Sequence, residues 1–176
     1  MNMSTSNRIP VRMTKISQGE DSVTAITGLQ DAVKVENIRQ LLDDFQKEYK
    51  QMVKDISNIL VKAKESRKAD LMAYWKVGDL IYGLLAKKAV KNGLVLINYE
   101  RTLARDLGIS PSRVFYFLKF REQHPDVNDV KMNIPWAWYT QLNSVKDPHK
   151  LRLLESDIIN GKIRNMDELK KAIRRR

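Results

Sequence analysis

Leu103-Ala104-Arg105-Asp106-Leu107-Gly108-Ile109-Ser110-Pro111-Ser112-Arg113-Val114 sets small, apolar and turn residues at the spacing of a helix-turn-helix corner. In such a corner the first helix lies close against the second, and Ala104 supplies the small residue where they would cross. Four residues on, Gly108 closes the first helix, because glycine reaches the left-handed conformation of a tight turn at little cost. Ile109 is then placed to plug the corner. Ser110 stands where its hydroxyl can cap the next helix, and Pro111 suits the first helical position, where its missing N–H loses nothing. Leu103, Leu107, Val114, Phe117 and Leu118 are expected to form a shared core. Ser112, Arg113, Phe115 or Tyr116, and Lys119 are left facing outward, a set of donors and aromatics suited to a major groove. Helix-Gly-helix corners also occur in proteins that touch no nucleic acid. The Ile-Ser-Pro-Ser start, the spaced valine and the basic chain around them favour DNA.

The 176 residues have room for one good core or two small ones, with 43% hydrophobic and 30% charged side chains. Lys and Arg number 32 against 21 acidic residues, a formal net charge of +11 that attracts phosphate backbones in a salt-dependent way. An anionic membrane surface would be attracted too. However, no run approaches the ~20 apolar residues of a transmembrane helix, and the N-terminus lacks the apolar core of a signal peptide. No membrane partner is therefore expected. The absence of cysteine removes disulfides, thiol catalysis and thiolate zinc sites together. His124 and His149 each stand beside a proline and are expected in loops, not as ligands or bases. No Gly-rich phosphate loop, metal-ligand cluster or nucleophile with a base at a recognisable spacing is present. The expectation is no enzyme activity, no cofactor and no metal, in a cytoplasmic, nucleoid-associated protein.

Residues 1–32 read as a flexible basic arm rich in Ser, Thr and Asn, in which Arg8, Arg12 and Lys15 precede the first acid, Glu20. Such an arm is either idle or tracks a DNA groove or backbone. Residues 33–66 form one long amphipathic helix. Val35, Ile38, Leu42, Phe45, Tyr49, Met52, Ile56, Ile59 and Ala63 alternate steps of three and four along a single seam, widened by Leu41, Val53 and Leu60. That seam packs either on its own domain or in a coiled coil. Because a lone helix of this length cannot bury its own stripe, a homodimer or higher homo-oligomer is favoured. Asp43 and Asp44 lie opposite the seam and read as surface charge.

Residues 67–176 read as a helical domain containing the corner, which makes the expected fold class all-α. Arg67 to Lys91 form a helix or helix pair, where Trp75 with Gly78 suggests an aromatic anchor beside a close backbone approach. Asn92-Gly93 breaks it, and Leu94 to Ile97 is a possible short strand. Tyr99 to Leu107 and Pro111 to Gln123 are the two helices of the corner, stopped by His124-Pro125. After a polar linker, Pro135 opens a helix through Leu142 whose aromatics serve packing or, less favoured, base stacking. The next helix, Lys150 to Ile159, carries Leu151, Leu153, Leu154, Ile158 and Ile159 as an expected buried face and ends at Asn160-Gly161. Met166 opens a last helix before Arg174-Arg175-Arg176.

On this reading the partner is double-stranded DNA. Arg113, Tyr116 and Lys119 face the groove, and Ser110 and Ser112 lie near phosphates at the helix start. Arg101, Arg105, Arg174, Arg175 and Arg176 grip the backbone, although a tri-arginine end is also compatible with a solubilising tail. A regulator, a partition protein and an architectural protein all fit. The alternative is an oligomeric adaptor whose helical domain docks another protein.

From about Ile59 to Ile173 the chain resembles the N-terminal domain that precedes the nuclease domain in YhcG-type PD-(D/E)XK proteins. Tyr74-Trp75-Lys76-Val77-Gly78 is similar to that family's Tyr-Trp-x-Ile-Gly element, and Leu103 through Pro125 to its helix-turn-helix region. Ile134 through Leu142, followed by Asp147-Pro148 and Glu168-Leu169, resembles its Leu-Ser-Trp-Ser-His-Tyr element and the helices after it. The last pattern is also similar to the DNA-binding region of ParB-like partition proteins. The family's Tyr-Gly before the motif is missing unless Asn92-Gly93 replaces it, and Trp138 stands where the family has histidine. The chain ends where a nuclease domain would begin, so the resemblance implies a helical DNA-binding fold and carries over no catalytic residue.

Overall fold

The computed structural model describes residues 10–12, 26–28, 35–65, 71–88 and 98–174. Two three-residue strands, β1 (Pro10–Arg12) and β2 (Ile26–Gly28), pair antiparallel with Val11 opposite Thr27. Both lie in the segment where a flexible arm is expected. Pro10 opens β1, a position where a strand tolerates the missing N–H. The rest of that segment, the Asn92-Gly93 break and the possible strand at Leu94 to Ile97 lie outside the described residues. Among the described residues all other regular structure is helical, so the fold is all-α with a long N-terminal helix.

That helix, α1 (Val35–Glu65), runs 31 residues. Phe45, Met52, Ile56 and Ala63 of its seam are buried within the single chain, while Asp43 and Asp44 are exposed. The chain therefore covers these seam positions itself, which removes there the reason for expecting a coiled-coil partner. Elements α2 (Leu71–Ile81), α3 (Tyr99–Leu107), α4 (Pro111–Gln123), α5 (Trp136–Leu142), α6 (Pro148–Ile159) and α7 (Met166–Arg174) follow. A π-helical stretch, Tyr82–Lys88, continues α2.

The chain divides into two compact units, Met1–Ile56 with Leu80–Pro111 and Ser57–Asp79 with Ser112–Arg176. The boundary between Pro111 and Ser112 assigns the two helices of the expected corner to different units. In the first unit Ile81, Leu84, Leu85, Leu103 and Ala104 are buried alongside the α1 residues up to Ile56. The Tyr49 hydroxyl donates to Asp106 Oδ2 at 2.7 Å. Burial, and then the Asp106 carboxylate, push the Tyr49 phenol well above its ordinary pKa, so it stays a neutral donor.

Gly108 ends α3 with φ 65°, in the left-handed region expected of it. Its N–H donates to the Arg105 carbonyl at 3.1 Å and that of Ile109 to the Ala104 carbonyl at 2.9 Å, satisfying two end-of-helix acceptors. A Cβ at Gly108 would meet open space. Gly108→Ala is thus expected to cost only the backbone strain, about 1 kcal/mol, read as a lower urea midpoint with an unchanged slope.

The second unit holds a core of Phe120, Ile134, Tyr139, Leu142, Leu151, Leu154 and Leu169, against which Trp75, Trp136 and Trp138 pack. The aromatics of α5 are therefore packing groups: Trp136 lies 5.3 Å from Phe120 and 4.8 Å from Tyr74 between ring centroids. Local chemistry sets the helix ends. The Asp147 carboxylate accepts the His149 N–H at 2.9 Å to start α6, and Gly161, with φ 69°, follows its end. Side chains cap the start of α7: the Glu168 N–H donates to Asn165 Oδ1 at 2.9 Å, and Glu168 Oε2 accepts the Arg164 N–H at 2.7 Å.

The buried face of α6 differs from the expected one. Leu151 and Leu154 are buried and Ile158 is half-buried, whereas Leu153 is 61% and Ile159 43% exposed. The reason is angular. Positions 151, 154 and 158 recur at three and four and share one face, and five apolar residues in this helix span more than that face covers.

Candidate nucleic-acid interface

Helix α4 separates its side chains cleanly. Val114, Phe117, Leu118 and Phe120 are buried. Ser112, Phe115, Tyr116 and Lys119 fall at i, i+3, i+4 and i+7, which puts them on one stripe of the other side. Ser112, Arg113 and Phe115 are exposed, and Tyr116 and Lys119 are half-buried. Of the two aromatics left open by the sequence, Phe115 is the outward one, at 48% exposure. Its ring meets Tyr116 edge-on, with centroids 5.9 Å apart.

The Arg113 guanidinium lies 5.5 Å from the Phe117 ring centroid and 5.9 Å from that of Tyr74. Stacking on two rings restrains a long side chain that would otherwise lose rotamer freedom on meeting a ligand. Lys119 Nζ is 2.9 Å from Glu122 Oε2, so its charge is shared with a carboxylate one turn away.

The backbone of α4 is seated by α2. A Cβ at Gly78 would overlap the Phe117 carbonyl oxygen and lie 2.8 Å from Arg121 Cβ, so the two helices touch there in a way no side chain allows. Trp75 Nε1 donates to the His124 carbonyl at 2.7 Å, and Arg121 Nε to Asp79 Oδ1 at 2.7 Å. The Arg121 guanidinium also covers the Trp75 ring at 5.3 Å. Trp75 and Gly78 play the anchor and close-approach roles expected of them, and the expected crossing residue Ala104 is buried in the first unit.

The remaining candidates stand elsewhere. In the first unit Arg101 and Arg105 are exposed on α3, four residues apart, with Arg105 Nε 3.4 Å from Asp106 Oδ1; Ser110 is exposed after α3. In the second unit Arg174 is exposed at the end of α7, while Arg175 and Arg176 lie outside the described residues. The structure thus groups Ser112, Arg113, Tyr116 and Lys119 on one helix.

His124 is the residue whose placement departs most from expectation. It follows α4 as a stop, yet it is only 3% exposed, and Nε2 lies 2.7 Å from Oε1 of Glu155, itself 4% exposed. Nδ1 is 3.1 Å from the Phe120 carbonyl. The pair forms part of the wall of an open cleft of about 520 Å³ with Lys131, Leu151, Arg152 and Ile159. The nearby Tyr139 phenol is held well above its ordinary pKa, first by burial and then by the Glu155 charge.

Among the described residues no group of three or more His, Asp or Glu could hold a metal ion, and no helix is long and apolar enough to cross a membrane. Comparison with protein-family models, curated proteins and solved structures yields no match.

Proposed function

We propose that this chain is a non-enzymatic double-stranded-DNA-binding protein that presents α4 to the major groove. The observation that carries this reading is the outer face of α4, where Arg113 is held over Tyr74 and Phe117 in a chain of net charge +11. An ordered guanidinium near the exposed start of α4 suits a phosphate or the acceptor edge of guanine. Ser112 adds a short hydroxyl beside the helix N-terminus, where phosphates are favoured. Lys119, shared with Glu122, is the weaker phosphate ligand. Arg101, Arg105 and the C-terminal arginines supply backbone charge in this reading. The resemblance to the YhcG-type N-terminal domain points the same way. A nucleoid-associated location, and homo-oligomers that multiply weak contacts, belong to the same proposal.

Fluorescence anisotropy with a short duplex, between about 50 and 200 mM salt, tests it through the linear fall of log affinity with log salt. Arg113→Glu combined with Lys119→Glu is expected to weaken binding at least about ten-fold and to reduce the salt slope by about 2. An absence of salt-dependent binding to any duplex overturns the proposal, and magnesium-dependent cleavage by the purified protein overturns its non-enzymatic part. A preference for one site over random DNA of at least ~10³ marks a regulator, and weak preference an architectural role.

A further inference from the structure

We infer that the cleft beside His124 and Glu155 is a binding site for a small organic anion with an apolar body, an inference independent of DNA binding. The cleft lies wholly within the second unit, and its volume of about 520 Å³ falls in the range of small-molecule sites. Its lining divides by chemistry. Lys131, from the segment after α4, and Arg152, from α6, both line it, and both are exposed with no acidic partner among the described residues. Two uncompensated cations in one concavity focus a positive potential there. Of the two acids in the lining, Glu155 is buried and bonded to His124 at 2.7 Å, which leaves the exposed Asp129 to oppose them. Leu151 and Ile159 set the body of the ligand. Ile159 is 43% exposed, off the core face of α6, and it lines the cleft together with Leu151. An apolar group seated on these two removes their surface from water, while a carboxylate suits the planar fork of Arg152 and the ammonium of Lys131. A neutral ligand would leave both cations unmatched, and a bare inorganic anion would leave Ile159 uncovered.

Phenylacetate tests the site, with acetate as the charged head alone and phenylethanol as the apolar body with a neutral head. In amide NMR titrations of the full chain, phenylacetate is expected to shift Lys131, Leu151, Arg152 and Ile159 saturably, and to bind at least about ten-fold more tightly than either fragment. Arg152→Glu should weaken it at least about ten-fold. Lys170→Glu makes the same charge change on the exposed side of α7 and should leave affinity within about two-fold, because salt screens a distant surface charge. Ile159→Ser should bring phenylacetate down to the level of acetate, and Asp129→Asn, which removes the opposing charge, should tighten it. All four positions are exposed, so the folded amide spectrum is expected to persist in each variant. An absence of saturable shifts, shifts spread over the basic surface at large, or equal weakening by Arg152→Glu and Lys170→Glu overturns the inference. Phenylethanol binding as tightly as phenylacetate would give the cations no part and overturn it as well.

Discussion

Glu155→Ala is expected to destabilise the protein by about 1–3 kcal/mol, the usual loss when a buried hydrogen-bonding group is left without its partner. The pair is deeply placed: His124 is 3% and Glu155 4% exposed, joined at 2.7 Å. With the carboxylate gone, Nε2 of His124 is left without a partner, which is expensive inside a core. The loss also untethers the end of α4 from α6, since His124 follows the one and Glu155 belongs to the other. Urea unfolding followed by circular dichroism measures the effect. Replacing both residues with apolar ones of similar volume, His124→Phe with Glu155→Leu, should recover much of the loss, because a well-packed apolar pair frequently equals a buried hydrogen-bonded one. A single-variant loss below about 1 kcal/mol would mean that the couple is not desolvated.

Gly78→Ala is expected to destabilise the protein by about 1–3 kcal/mol, although alanine is the better helix former by about 1 kcal/mol. The sign is decided by what the new methyl group meets. It overlaps the Phe117 carbonyl oxygen, a backbone atom with no rotamer to escape through, and comes 2.8 Å from Arg121 Cβ. Helices α2 and α4 must separate or slide, which weakens the stacking of Arg113 and the 2.7 Å bond from Arg121 to Asp79. If the proposed DNA binding through α4 holds, affinity for a duplex is expected to fall along with stability. Gly83→Ala is the matched control: a Cβ there meets nothing within 4 Å, so propensity alone should leave that variant neutral or slightly stabilised. Equal unfolding midpoints for the two variants would remove the close crossing as the explanation.

The helix boundaries were legible because they depend on neighbours in the chain. Pro111 at the first helical position, Gly108 in the left-handed region, and the Asp147-Pro148 and Asn165 to Glu168 starts each work within a few residues. The long period of α1 was legible for the same reason. The burial of Phe45, Met52, Ile56 and Ala63 without a second chain was not, since a seam announces that something covers it without saying what. On α6, composition overstated the buried face. On α4, the sequence left Phe115 and Tyr116 undecided, as adjacent residues both near the edge of an apolar stripe. Gly78 carried a signal, a glycine inside a helix beside a tryptophan, but it named no partner. His124 and Glu155 carried none, being 31 residues apart with ordinary neighbours.

The sequence by itself determined an all-α chain, most helix starts and stops, a basic surface, and an outward face on Pro111–Gln123. Tertiary structure alone decided that Gly78 seats α4, that Arg113 lies over Tyr74 and Phe117, that Phe115 faces out, and that His124 pairs with Glu155. The physical reason is range. Caps, prolines and periodicity act over a turn or two of helix, whereas steric fit, ring stacking and desolvation depend on which distant segments share the same space.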